Sequence, residues 1–357
     1  YNPAILKILF EEGCAIDAVS LGEVLLAKKV GFPADRILFT ANMITDEEMR
    51  RVHDEGVLLN VDSLSRLEKF GRAYPGSHVV IRLNPGIGAG HHDFVKTGGD
   101  ETKFGIRLNE VPAAVEVVRQ FNLNVVGIHE HAGSGIPESV QMMEGMRAIL
   151  DVITRDDFPH LQFVDFGGGF KVPYRPGEKR VDYAAFGRDV VALFVDFCKE
   201  YGRELEMHFE PGRYLVGEAG KLLVEVNTLK NNNGRRIAGV NSGFPQLIRP
   251  MLYSAYHHIV NLSNISGQDT KYDIVGNICE TGDHFAKDRV LGEIREGDIL
   301  AIENAGAYCY SMGGVYNLRS MPAEVVVENG KGVLVTPRKT EEQLVSDLFS
   351  VEYPNLK

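Results

Sequence analysis

Over its first two thirds this sequence alternates short runs of apolar and β-branched residues with amphipathic stretches of helical period. The short runs fall at residues 16–19, 36–40, 57–61, 78–84, 124–131, 162–166 and 206–209. Helical patterns occupy 2–12, 21–30, 111–121, 139–153 and 183–201. Strands that read as near-continuous apolar runs need cover on both faces. Helices between them supply that cover, so the pattern predicts parallel βαβ units and an α/β fold. Seven strands fall one short of the eight in a closed β/α barrel. The expected missing strand is the first, because the chain opens inside a helical pattern with Pro3 in its first turn. Tyr1 in place of methionine likewise leads us to expect a native chain that begins earlier.

At 357 residues the chain exceeds one ordinary core, and about 150 residues per domain suggests two. The texture changes near residue 220. Residues 221–230, 235–241, 298–302, 323–328 and 332–335 alternate or carry β-branched residues, and Asn329-Gly330 is a turn signal. The expected organisation is a β/α (TIM-like) barrel over 1–220 and a mostly antiparallel β domain over 221–357, with a short helix at 340–349. Net charge is −11, which disfavours nucleic-acid and anionic-membrane partners. No apolar run approaches the ~20 residues that span a bilayer. Cys14, Cys198, Cys279 and Cys309 are scattered without zinc spacing, which suits reduced thiols in the cytoplasm.

Barrel enzymes build their sites at the C-terminal ends of strands. Four such ends are polar or glycine-rich here: Asp17-Ala18-Val19-Ser20, His129-Glu130-His131-Ala132-Gly133-Ser134-Gly135, Asp165-Phe166-Gly167-Gly168-Gly169-Phe170 and Glu210-Pro211-Gly212-Arg213. Three glycines after a strand let backbone amides approach an anion such as phosphate, or simply form a tight turn. His131 suits stacking on a ring, pairing with a ligand, or a structural role. His129 and His131 share one side of a strand, but without a third ligand no metal is expected. Glu210 suits a general base, a partner for a ring nitrogen, or a salt bridge to Arg82. The second domain adds Leu247-Ile248-Arg249-Pro250-Met251-Leu252-Tyr253, Gly276-Asn277-Ile278-Cys279-Glu280-Thr281-Gly282-Asp283 and Asn304-Ala305-Gly306-Ala307-Tyr308. Cys279, beside acids, is better placed to donate a proton than to act as a nucleophile; a buried structural cysteine is the plainer alternative.

Taken in order, HxHxGS, DFGGGF, EPGR, IRPxLY, GNICETGD and AGAY resemble the fold-type III pyridoxal-phosphate decarboxylases over essentially the whole chain, and within them the diaminopimelate decarboxylases. The resemblance implies pyridoxal 5'-phosphate as cofactor and a homodimer with shared active sites. It implies that His131 stacks on the cofactor ring and Glu210 pairs with its nitrogen. Ser134, Gly167, Gly168, Gly169, Gly212 and Tyr308 would hold the phosphate, and Asp17 and Arg82 would lie in the polar network beneath. Cys279 would donate a proton, reaching with Glu280 into the partner's site. Arg213, Arg249 and Tyr253 would grip the distal end of an amino-acid substrate. The implied activity is decarboxylation of meso-diaminopimelate to L-lysine. D-ornithine, D-lysine or carboxynorspermidine decarboxylation and a non-catalytic regulatory role are the alternatives, and a racemase fits the thiol motif less well. The family's Schiff-base lysine is not in this sequence and is expected upstream. Ala132, Gly135, Asn277 and Leu318-Arg319-Ser320-Met321 depart from the family's usual residues and bear on specificity. Residues 91–101, polar and glycine-flanked, are a candidate mobile segment.

Overall fold

Local signals set the helix bounds. Ser20 accepts from the Glu23 N–H at 3.2 Å, and Gly31 ends the turn at φ 121°, so Leu21–Val30 is a helix over the span its pattern predicts. Asp182 caps Tyr183–Tyr201 through the Ala185 N–H at 2.9 Å, and Gly202 closes it at φ 79°. The computed structural model describes residues 1–87, 89–90, 97–99, 102–136 and 139–349. Most of the segment 91–101 lies outside them. The chain divides into two units. One comprises Tyr1, Pro3–Lys171 and Arg180–Pro211, the other Asn2, Val172–Lys179 and Gly212–Lys357.

The first unit carries strands β1 (Ile16–Ala18), β2 (Ile37–Phe39), β3 (Leu58–Val61), β4 (His78–Asn84), β5 (Asn124–His129), β6 (Phe163–Asp165) and β7 (Glu206–His208). They pair in chain order, all parallel, with a two-residue strand Ile106–Arg107 also on β4. This is the curled sheet of a β/α barrel, with β1 and β7 as its edges among the described residues. Its outer face packs under the helices through Phe39, Leu67, Phe70, Ile81, Ile128 and Ile149. A smaller apolar layer of Leu38, Leu58, Val80, Val126 and Phe163 forms separately.

Gly127 is required by that layer, because a Cβ there would lie 2.4 Å from the Phe163 ring. Gly127→Ala should therefore destabilise the protein by about 1–3 kcal/mol, read from urea unfolding. An unchanged midpoint would show that Phe163 moves aside freely. Helices Asp46–Asp54 and Leu64–Ala73 go beyond the sequence patterns. In the first only Met49 and Val52 are buried, too few to show a period, although Thr45 capping the Glu48 N–H was a legible start signal.

The second unit carries β8 (Leu222–Asn232), β9 (Arg235–Val240), β10 (Ile259–Asn261), β11 (Asp269–Val275), β12 (His284–Gly292) and β13 (Ile299–Ile302), ordered β10-β13-β8-β9-β11-β12. Every pair is antiparallel except β9 with β11. Val226, Val240, Ile274, Phe285, Leu300 and Ile302 fill its core. A separate hairpin, β14 (Glu324–Glu328) with β15 (Lys331–Thr336), turns at Asn329 and Gly330, both at positive φ. Strands β10 to β12 escaped the sequence reading. β12 is interrupted by Lys287, Asp288 and Arg289, with Asp288 at φ 49°, so its alternation breaks. Among the described residues no helix is long and apolar enough to cross a membrane.

Candidate active site

Side chains along a strand alternate faces, and register decides which residues of neighbouring strands stand side by side. Here Arg82 is in register with His129, His129 with Asp165, and Asp165 with His208. A polar row thus crosses four strands near their C-terminal ends. Asp17 joins it from β1, accepting a hydrogen bond from the Thr40 hydroxyl. Glu210, two residues beyond β7, brings its Oε2 to hydrogen-bond distance, 3.5 Å, from His129 Nε2. Among the described residues no ion pair joins Glu210 to Arg82, and the contact with His129 is to a neutral ring.

The triple glycine is locked into this row. The Gly167 N–H donates to Asp165 Oδ1 at 2.8 Å, and the Gly168 N–H donates to His131 Nδ1 at 3.0 Å. Nδ1 of His131 is therefore an acceptor, so its ring proton sits on Nε2. Gly167 and Gly169 hold φ of 63° and 105°. A Cβ on Gly168 would lie 2.4 Å from the Glu210 carbonyl oxygen, and one on Gly167 2.5 Å from that of Glu130. Glycine is needed for both torsion and space. Ser134 lies on the two-residue strand Gly133–Ser134 nearby in sequence.

The row is rich in carboxylates that burial keeps partly protonated. Desolvation raises Glu210 to about 7, and raises Asp165 to about 7 with help from Glu210. Asp17, though more exposed as a residue, is also pushed up by desolvation and then by Glu210. His129 and His131 are driven down to about 4 and about 3, first by burial and then by Arg82, so both rings are neutral near pH 7. Glu210 Oε1, Glu130 Oε2 and His129 Nδ1 are buried without a hydrogen-bond partner. His129, Asp165 and Glu210 offer ligand atoms within 4.8 Å of one another. The sequence pairs His129 only with His131; Asp165 on β6 and Glu210, beyond the end of β7, join it through the fold. A row with several acids and one arginine favours a cationic group opposite Glu210.

Glu130 yields a pH prediction. Burial raises it from 4.5 to about 8, so the fold retains a proton that the unfolded chain releases above 4.5. Its contribution to stability is full below 4.5 and is lost as pH rises through about 8. The melting temperature should fall across that window, and fall less in Glu130→Gln. Equal slopes in both proteins would remove Glu130 as the cause.

In the second unit Arg249 is 1% exposed and Arg213 also buried. Arg249 lies 4.7 Å over the Tyr174 ring, and Arg213 4.9 Å over Tyr308, itself at φ 56°. Tyr253 ends the helix Arg249–Tyr253, and Gly212 starts the helix Gly212–Val216. Cys279 is exposed and donates from Sγ to Asn317 Oδ1 at 3.4 Å, while the Tyr316 hydroxyl donates to Glu280 Oε1 at 3.4 Å. The plainer alternative for Cys279, a buried structural thiol, is thereby corrected: it is Cys309 that is buried. Glu130 and Asp165 stand inside the motifs without a role that the sequence suggests, and His129 has there only the metal pairing with His131. The signal for His129 and Asp165 is a polar residue ending an otherwise apolar strand.

A curled parallel sheet with acids and a glycine cradle at its strand ends defines a pyridoxal-dependent decarboxylase of the β/α-barrel type. Residues 1–217 match the family described as "Pyridoxal-dependent decarboxylase, pyridoxal binding domain". The chain is 44% identical over 350 residues to the diaminopimelate decarboxylase of Methanothermobacter thermautotrophicus, covering 96% of this chain and 82% of that one. A crystal structure of diaminopimelate decarboxylase superposes with TM-score 0.92 at 34% identity, covering 98% and 87% of the two chains. The Helicobacter pylori enzyme complexed with L-lysine superposes with TM-score 0.89 at 29% identity, covering 97% and 87%. The chain belongs to the diaminopimelate decarboxylase family.

Pyridoxal phosphate is the cofactor of this family, and the residues present fit it. The unpartnered Glu210 Oε1 stands ready for a cationic ring nitrogen. The glycine cradle excludes side chains, and its Gly167 and Gly168 amides are already held by Asp165 and His131.

Proposed function

We propose that this enzyme removes CO2 from meso-diaminopimelate to give L-lysine, working as a cytoplasmic homodimer with shared sites. The observation that carries the reading is Glu210, a part-buried carboxylate whose Oε1 is fully buried and unpartnered inside an acid-rich row. When bound, pyridoxal phosphate supplies the electron sink that accepts the pair freed as the Cα–carboxylate bond breaks.

The chain's own residues do the rest. Glu210 carries the negative charge that keeps a ring nitrogen protonated, and Arg82, buried in the same row, keeps the acids from all being neutral. His131, neutral and fixed by the Gly168 N–H, presents a flat ring for stacking. Ser134, the Gly169 backbone, Gly212 and Tyr308 bind the phosphate, Gly167 and Gly168 line its cradle with their own amides held by Asp165 and His131, and Asp17 sits in the network below. Residues 1–220 hold most of the cofactor, while 221–357 add Tyr308 to it and supply most of the substrate and interface residues. Cys279, with its S–H oriented by Asn317, returns a proton to Cα in the partner's site. Arg213, Arg249 and Tyr253 hold the distal carboxylate, and Glu280 the distal ammonium.

The test is CO2 release and lysine formation by the full protein with pyridoxal phosphate, offered meso-diaminopimelate, D-ornithine, D-lysine and L-lysine side by side. Turnover of diaminopimelate alone is expected. Preference for another amino acid would keep the chemistry and overturn the assignment of the arginines.

A further inference from the structure

Burying an arginine is costly unless each N–H finds a partner, and the choice of partner decides what the guanidinium can still bind. Arg249 is 1% exposed, and no carboxylate pairs with it among the described residues. Its Nη1–H donates to His257 Nε2 at 2.8 Å, and its Nε has no hydrogen-bond partner. His257 is itself fully buried, and its Nδ1–H donates to the Glu303 carbonyl oxygen at 2.8 Å. The Glu303 carbonyl can only accept, so the proton of His257 is fixed on Nδ1 and Nε2 is left as a neutral acceptor. A carboxylate partner would have neutralised Arg249. A neutral imidazole holds it in place and leaves its charge intact.

The second face is equally neutral. The Arg249 guanidinium lies 4.7 Å over the Tyr174 ring. The His257 backbone carbonyl is in turn held by Arg289 Nη1 at 2.6 Å. Arg289 stacks 3.9 Å over Tyr256, so the residue that clamps Arg249 is fixed at both its ring and its backbone.

We propose that His257 is a positioning residue for substrate recognition: it holds Arg249 by one nitrogen, without neutralising it, so that the remaining edge of the guanidinium takes the distal carboxylate. This rests on the role given to Arg249 under the proposed function. It adds a residue outside the motifs that carry the family resemblance, and it assigns specificity to the pair Arg249–His257.

The test uses the full pyridoxal-phosphate-loaded enzyme and two competitive inhibitors. L-lysine keeps a carboxylate, and 1,5-diaminopentane is the same molecule without it. In His257→Leu the inhibition constant of L-lysine should rise about tenfold, as expected when a buried donor loses its partner, while that of 1,5-diaminopentane changes less than about twofold. His257→Gln, which keeps an acceptor and a donor, should recover most of the loss and serves if the leucine variant does not fold. Equal weakening of both inhibitors would mean a merely structural histidine and would overturn the proposal, as would no change in either. Arg249→Leu separates the two levels. If it fails to abolish the preference for L-lysine, the role of Arg249 is wrong and the proposal falls with it. If it abolishes the preference while both His257 variants keep it, only the positioning role of His257 is lost.

Discussion

Replacing Glu210 by glutamine should lower kcat for decarboxylation by roughly 10²–10³, the usual loss on removing one preorganised charge partner from a reacting group. KM should move little, because the substrate's own polar groups are assigned elsewhere. Glutamine preserves shape but cannot carry the negative charge that keeps a ring nitrogen protonated. Neighbouring acids are not expected to substitute. Asp165 is held by the Gly167 N–H at 2.8 Å and Asp17 by the Thr40 hydroxyl, so neither is free to turn toward the ring. The loss of Glu210 charge also relieves Asp165 and Asp17, both of which it raises, so their ionisation shifts downward in pH in the variant. Steady-state CO2 release on the cofactor-loaded enzyme decides the matter. A variant within a few-fold of the native rate would move the electrostatic role to another group.

Cys279→Ala should cost roughly 10²–10⁴ in turnover, the range of a lost general acid, while leaving stability within about 0.5 kcal/mol. The small stability effect follows from exposure: the thiol meets solvent and Asn317, not the core. Mixing two inactive chains then locates the thiol. If Cys279 serves the partner's site, a dimer of Cys279→Ala with Glu210→Gln has one intact site, and a random mixture regains about a quarter of native activity. If the thiol serves its own chain, every site carries a defect and the mixture stays inactive. That outcome would remove the shared site while keeping the proton donor.

Much of this was legible in the sequence, and the parts that were not share a cause. Leu21–Val30 and Tyr183–Tyr201 were readable because cap, period and stop all lie within one segment. The apolar runs that became β2 to β6 were readable because strands buried on both faces leave no polar alternation. β12 and the helix Asp46–Asp54 were not, since charges and sparse burial hide their period. For the site, the motifs named Glu210, His131 and the glycines, but gave no reason to group His129, Asp165 and Glu130 with them.

The sequence by itself determined the α/β class, the change of texture near residue 220, and the cap and stop signals of its helices. These depend on neighbours along the chain, where geometry is fixed by covalent connection. Only the tertiary structure decided that Arg82, His129 and Asp165 stand in one row, that Glu210 closes it, and that His257 rather than an acid holds Arg249. Sheet register sets the first, loop path the second and burial the last. Each depends on residues far apart in sequence, and so does the desolvation that raises Glu210 and Glu130.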